Sequence, residues 1–265
     1  MSAKIHLLVR PAFDVDAFLV FLSEHGCDWR RSAGATQVEE IVEIAGRVCY
    51  MSFGERQSPR DNRTYLDNLI NSGHESVLEH VSWTFLIEGV SRAFTHQLIR
   101  HRPGWAYSQL SQQYHDEAAA TFVMPEELQD DPQARAQWVQ AVEQCRAAYV
   151  RLTDLLNRTA GDGKERSRSI RSAARSVLPN ATETKIVVTA NARALRHFLK
   201  VRGAIEGDFE MRSVSAELLK VLRAEAPHLF SDFSTQTMRD GTPTVLHGTL
   251  TRPQRETELV AKPSK

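Results

Sequence analysis

The hydrophobic pattern of this chain changes period repeatedly, and each change marks an element. Residues 4 to 10, Lys-Ile-His-Leu-Leu-Val-Arg, read as a short strand closed by Pro11. Asp14 then caps a helix over about 15 to 25 that turns Phe18, Leu19, Phe21 and Leu22 inward. A second helix, about 37 to 47, buries Val38, Ile41, Val42, Ile44 and Ala45. After a Gly-, Ser- and Pro-rich loop at 51 to 60, Asp61 opens a helix to about Ser72, with Gly73 as its stop. The period then drops to two. Val81 to Glu88 alternates as a half-buried strand, broken by Gly89. Ser91 caps a helix from Arg92 to about Arg102, on which Gln97, Arg100 and His101 stand at i, i+3 and i+4 and share a face.

The second half continues in the same alternation. Phe122 to Pro125 reads as a short strand, and a long helical pattern follows from about Gln133 to Arg158. A Gly161-Asp162-Gly163 turn leads into a helix over about 164 to 176, ended by Leu178-Pro179-Asn180. Thr184 to Thr189 is a strand, Asn191 caps a helix to about Val201, and a final helix spans about 208 to 226. Residues 1–235 are expected to form one domain, with 236–265 as a loosely ordered C-terminal tail pinned by one strand near Thr244 to His247. The order of elements predicts an α/β (α+β) fold, a mixed or antiparallel sheet flanked by helices.

Charge narrows the function. Lys plus Arg equals Asp plus Glu at 33 each, so no global field draws the chain to nucleic acid or to an anionic membrane, and any basic site must be local. No apolar run is long enough for a signal peptide or a membrane span. Three widely spaced cysteines (Cys27, Cys49, Cys145) suit a reducing cytoplasm rather than a disulfide framework.

Candidate chemistry gathers in residues 97 to 114. Arg100, His101 and Arg102 run into Pro103-Gly104, and Trp105, Tyr107, Ser108, Gln109, Ser111, Gln112, Gln113 and Tyr114 follow. This reads as a cationic clamp beside a hydrogen-bonding loop, suited to a ligand with phosphate oxygens and a flat ring. On physics alone the plainer account stands ahead: a helix C-terminus with basic residues and a Pro-Gly stop. Later in the chain Arg193 and His197 stand one turn apart behind Asn191, at a helix mouth that favours anions. His74, Glu79, His80, His96 and His101 fit no zinc-enzyme spacing, so no metal is expected. No cysteine neighbours a histidine or a cationic cluster, Ser111 lacks a nucleophile elbow, and no glycine-rich phosphate loop is present. Arg100, Arg102, Arg175, Arg193 and Arg202 could converge on phosphates, whereas Arg166, Arg168 and Arg171 read as a solvated face.

Arg100-His101-Arg102, eight residues, then Ser111 and Tyr114 resembles the signature of the flavin-dependent thymidylate synthases (the ThyX family). Other segments agree in order: Gly73 to His80, Gln97, Arg175 before Leu178-Pro179, Asn191-Ala192-Arg193, and Arg202 followed by Glu210, together covering about 40 to 225. The resemblance implies a homotetramer with active sites between subunits, FAD as cofactor, deoxyuridine monophosphate as substrate, and methylenetetrahydrofolate and NADPH as co-substrates. It implies that His74, Ser76, Glu79, Arg100, His101, Arg102, Asn191, Arg193 and His197 hold FAD. The nucleotide would fall to Gln97, Arg100, Gln109, Ser111, Gln113, Arg175 and Arg202, with Arg202 facing the uracil as the catalytic group.

The chain also departs from the family pattern. Ala106 replaces a serine, Ser108 stands where an asparagine is usual, Glu206 where histidine is frequent, and Cys49 replaces a small hydroxyl. Gln113 stands where the family usually carries arginine, which removes a charge from the nucleotide's phosphate end. The alternatives are therefore a ThyX-like paralogue that methylates another uracil nucleotide, such as uridine monophosphate, or a non-catalytic nucleotide- or flavin-binding protein.

Overall fold

Strand β2 (Ser82–Ser91) lies at the centre because its alternation supplies one wholly apolar face. Trp83, Phe85, Ile87 and Val90 are buried, and each contributes roughly 1.5–3 kcal/mol of transfer free energy. The computed structural model describes residues 3–158, 163–239 and 241–248. Within them β1 (Lys4–Val9), β2, β3 (Trp105–Gln109) and β4 (Glu183–Asn191) form one sheet in the order β1-β2-β4-β3, antiparallel throughout. In β4 the same alternation buries Thr184, Ile186, Val188 and Ala190 opposite the β2 core residues. The opposite face is partly open, and there the cross-strand pair Thr84 and Thr189 hydrogen-bonds at 2.9 Å.

The described residues form eight α-helices. They are α1 (Val15–Glu24), α2 (Gln37–Val48), α3 (Asn62–Asn71), α4 (Arg92–Leu98), α5 (Pro132–Arg158), α6 (Lys164–Ala174), α7 (Ala192–Arg202) and α8 (Phe209–Glu225). Val38 and Val42 of α2, Leu66 of α3, Leu195, Phe198 and Leu199 of α7, and Met211, Val214 and Leu218 of α8 join the sheet in the main core. A smaller cluster forms around Leu22, Trp29 and Phe53. The expected caps are present: the side chains of Asp14, Asp61, Ser91 and Asn191 each accept from a backbone N–H in the first turn of their helices, and Asp208 does the same for α8.

Several expectations need correction. Leu19 is exposed rather than inward, because α1 presents only one narrow stripe to the aromatic cluster. Gly89 does not end its strand. It adopts φ +70° at a bulge between Ile87 and Val90, and β2 continues to Ser91. Phe122 forms only an isolated bridge to Thr182. Thr244 to His247 is indeed strand, as β6 (Pro243–His247), but it pairs with a further strand, β5 (Phe233–Thr237). Val245 of that hairpin is buried, and its N–H reaches Gly203 O at 2.8 Å. Gly161 and Asp162 of the expected turn, and residues 249–265 of the expected tail, lie outside the described residues.

Helix α2 carries charge into the interior, which its apolar pattern does not announce. Glu43 and Arg47, at i and i+4, are both fully buried and meet at 2.6 Å. Asn62 donates to Glu43 at 2.8 Å, Arg47 donates to Pro59 O at 2.6 Å, and its guanidinium lies 4.1 Å from the centre of the Tyr65 ring. Glu39 completes the Thr36 capping box and accepts from His228 N at 2.6 Å. These buried charged side chains tie α2 to Pro59, Asn62 and His228.

Candidate functional site

The site begins where α4 ends. The helix stops at Leu98 rather than near Arg102. Arg102 precedes Pro103, which disfavours the helical region, and the chain must reverse at Gly104 (φ +76°) to enter β3. The Tyr107 hydroxyl sits against the carbonyls of Leu98 and His101, at 3.0 and 2.6 Å, and fixes the turn between them. As a result Gln97, Arg100 and His101 do not share a helical face. Gln97 is exposed on the last turn of α4, while Arg100, His101 and Arg102 reach a cleft from the turn.

The stretch expected as a hydrogen-bonding loop is strand β3, paired with β4 from Trp105↔Ala190 to Gln109↔Ile186. Its Trp-Ala-Tyr-Ser-Gln alternation was the available signal, masked by polar composition. Trp105 and Tyr107 lie on one side of the strand with nearly parallel rings, 5.8 Å between centroids.

The opposite wall is the mouth of α7. Asn191 caps the helix by accepting from Ala194 N at 2.9 Å, and its own N–H donates to Gly104 O at 3.1 Å. The contact is close enough that a Cβ on Gly104 would stand 2.7 Å from Asn191 Nδ2 and 2.9 Å from Ala194 Cβ. A short 3-10 turn at Glu75–His80 supplies the third wall.

These segments enclose about 640 Å³. Eight of the residues expected to act line it: Glu79, Arg100, His101, Arg102, Asn191, Arg193, His197 and Arg202. Four arginines face two carboxylates, Glu75 and Glu79, so positive side chains exceed negative ones by two. Arg193 Nη1 meets Glu79 at 2.6 Å, and Lys200 meets Glu75 at 3.1 Å. The guanidinium groups of Arg100 and Arg102 have no hydrogen-bond or ion-pair partner among the described residues. Glu75 was missed by the sequence reading; its one signal is the i, i+4 relation to Glu79 on the same turn.

Electrostatics sets the histidine's state. Burial, followed by the charges of Arg202 and His197, pushes the His101 imidazole down to about 4. It is therefore neutral at physiological pH and accepts from Arg202 Nε at 3.1 Å.

The other expected residues lie elsewhere in the chain. His74 and Ser76 are exposed on the turn that carries Glu79, outside the cleft lining. The Gln109 amide donates to Thr95 and Thr184 at 3.0 and 3.3 Å. Ser111 Oγ accepts from Gln113 N at 3.3 Å. Gln113 lines a second, shallower cleft of about 750 Å³ with Tyr114, Arg168 and Ser172, which shares no residue with the first. Arg175 is half-buried just beyond α6 and lines neither cleft. Arg168 and Arg171 are more than a solvated face: Arg168 lies 4.8 Å from the centre of the Tyr114 ring, and Arg171 Nε donates to Gln113 O at 2.9 Å. Their i, i+3 spacing was the signal for that shared face. Among the described residues no group of three His, Cys, Asp or Glu side chains could hold a metal ion.

An antiparallel sheet backed by helices, with a surplus of arginine at a helix mouth, makes an α/β protein whose cleft suits an anion. The family model described as thymidylate synthase complementing protein matches residues 33–228. A flavin-dependent thymidylate synthase of Mycobacteroides abscessus is 45% identical over 227 residues, covering 84% of this chain and 89% of that protein. One from Mycolicibacterium gilvum is 48% identical over 76% of this chain and 82% of its own length. One from Corynebacterium aurimucosum is 40% identical over 85% of this chain and 92% of its own length. The chain belongs to the flavin-dependent thymidylate synthase (thymidylate synthase complementing protein) family.

Proposed function

We propose that this protein is a flavin-dependent thymidylate synthase, which methylates C5 of deoxyuridine monophosphate using methylenetetrahydrofolate, FAD and NADPH. One observation carries the reading. Glu79, the Arg100 to Arg102 turn, and Asn191, Arg193, His197 and Arg202 come from distant parts of the chain and line a single cationic cleft.

The donor set fits FAD. The unpaired guanidinium groups of Arg100 and Arg102, with Arg193 beside the mouth of α7, would hold its diphosphate. We assign Arg100, His101, Arg102, Asn191, Arg193 and His197 to the flavin, together with His74, Ser76 and Glu79 on the neighbouring turn. When bound, the flavin supplies carriage of the one-carbon unit and of hydride. The protein's own task is placement and charge. Arg202 faces the uracil, favours its N3-ionised form and so makes C5 a better carbon nucleophile. No thiol is needed for this chemistry, and none of Cys27, Cys49 or Cys145 lines the cleft.

The remaining nucleotide residues, Gln97, Gln109, Ser111, Gln113 and Arg175, lie outside that cleft in a single chain. We assign them to an active site completed by a second copy, in a homotetramer. The separation of the two clefts supports this assignment. We place the enzyme in the cytoplasm, in keeping with three free cysteines.

The test is a visible spectrum of the purified protein, followed by NADPH addition with and without deoxyuridine monophosphate. Yellow protein whose flavin bleaches faster with the nucleotide, together with tritium release from the 5-tritiated nucleotide, is the expected result. Release from uridine monophosphate alone would move the assignment to the paralogue that methylates another nucleotide. Protein that cannot be reconstituted with FAD would overturn the flavin reading.

A further inference from the structure

His101 is held more firmly than a ligand-gripping side chain needs to be. Its N–H reaches Leu98 O at 3.1 Å, and its carbonyl accepts from the Tyr107 hydroxyl at 2.6 Å. Its ring meets the Phe198 ring edge-on, 5.2 Å between centroids, with Trp105 and His197 at 6.2 and 6.0 Å. Nε2 of that ring lies 3.1 Å from Arg202 Nε. A guanidinium can only donate, so Nε2 must supply the lone pair and the ring proton resides on Nδ1. The charged groups around the ring are Arg202 and, when protonated, His197 from α7, with Arg100 and Arg102 on its own segment. No carboxylate bonds to the ring among the described residues, and the two carboxylates that line the same cleft, Glu75 and Glu79, are paired with Lys200 and Arg193.

The consequence falls on Arg202. An arginine can grip a planar ligand edge through its side-on pair (Nε and one terminal nitrogen) or through its two terminal nitrogens. Here Nε–H is already committed to His101. The terminal nitrogens of Arg202 have no partner among the described residues, and Arg202 lines the cleft.

We propose that His101 is a positioning residue that acts through Arg202: its Nε2 closes the side-on fork and leaves only the terminal fork for the ligand. A terminal fork selects a ligand with two adjacent in-plane acceptors, such as a carbonyl oxygen beside an ionised ring nitrogen. This rests on the reading in which Arg202 faces the uracil. It gives His101 a task beyond contact with the flavin, and it makes the order of the motif meaningful. The histidine orients the catalytic arginine while its two flanking arginines remain free for phosphate.

The experiment has two arms on the intact protein. The first needs no ligand. Nitrogen NMR of the histidine rings, with His101 assigned by its loss in His101→Gln, should show Nε2 unprotonated and Nδ1 protonated. In Arg202→Met the His101 titration should rise from about 4 toward the ordinary histidine range. A proton on Nε2, or a titration unchanged by Arg202→Met, would overturn the proposal. The second arm is a binding cycle with deoxyuridine monophosphate on FAD-loaded protein. With FAD held in saturating excess, His101→Phe should weaken the nucleotide on the order of tenfold, while His101→Gln, which keeps an acceptor at the Nε2 position, should recover most of the loss. In the Arg202→Met background His101→Phe should cost nothing further. Independent losses, or flavin release with nucleotide affinity intact, would refute it. Wild-type protein that fails to methylate deoxyuridine monophosphate would sink the proposed function while leaving the first arm standing.

Discussion

Truncating Asp232 is the most demanding test of how the cleft is supported. Asp232 accepts from Arg196 at 2.7 and 2.6 Å and from His247 at 2.9 Å. The Arg196 and Asp232 side chains are 0% and 1% exposed. Arg196 also donates to Leu229 O and lies 5.1 Å from the centre of the Phe233 ring, while its Nε already lacks a partner. Asp232→Ala would strand a buried guanidinium with one carbonyl and one ring, a change that costs about 3–5 kcal/mol. For a chain of this size that lowers the midpoint temperature by on the order of 10 °C. Urea unfolding at fixed protein concentration measures it. The apolar pair Arg196→Met with Asp232→Leu separates the cost of a stranded charge from the worth of the pair, and should recover most of the loss. A single-variant loss below about 1 kcal/mol, or a double variant as unstable as the single one, would refute the reasoning.

Three further outcomes follow from the same geometry. Gly104→Ala places a methyl 2.7 Å from Asn191 Nδ2 at φ +76°, and should cost about 1–3 kcal/mol in stability and weaken flavin retention, read by unfolding and by absorbance after gel filtration. Gln113→Arg should tighten deoxyuridine monophosphate by about 1.5–3 kcal/mol in calorimetric titration, and unchanged affinity would mean the phosphate sits away from Gln113. Burial would raise the Asp232 carboxyl, but hydrogen bonds and charge from Arg196, with His247, outweigh it and hold it below its ordinary value. The stability it contributes is therefore present above the unfolded value of about 3.9 and is lost as pH falls through the lower folded value. The gap between wild type and the apolar pair, measured by urea unfolding from about pH 6 down to about pH 2, should change only at the acid end.

Elements whose period matches their burial were legible in the sequence. The β2 alternation, the caps at Asp14, Asp61, Ser91 and Asn191, and the long α5 pattern each depend on neighbouring residues alone. What was not legible depends on pairing across the sheet. The end of α4 is set by the reversal that brings β3 beside β4, and the polar side chains of β3 conceal its period. The first strand of the C-terminal hairpin, β5, was missed for the same reason, since Ser234, Thr235 and Gln236 carry no apolar signal. The cleft was legible as a set of residues through the family resemblance. Its composition of charge was not, because Glu75 enters it only through the 3-10 turn.

Helix α7 shows why buried charge and site geometry belong to one argument. Arg193, His197 and Arg202 face the cleft, and Leu195, Phe198 and Leu199 face the sheet. Arg196 is fully buried against Asp232, which precedes β5, and Asp232 in turn meets His247 at the end of β6. Apolar packing alone would resist rotation of α7 weakly, because Leu and Phe contacts are non-directional. The two parallel hydrogen bonds from Arg196 to Asp232 are directional and fix the helix about its axis. A rotation that lengthened them would also swing Arg193 and His197 along the cleft wall and pull Arg202 from His101. On this argument Asp232→Ala should loosen flavin retention as well as stability, although Asp232 lines no part of the cleft.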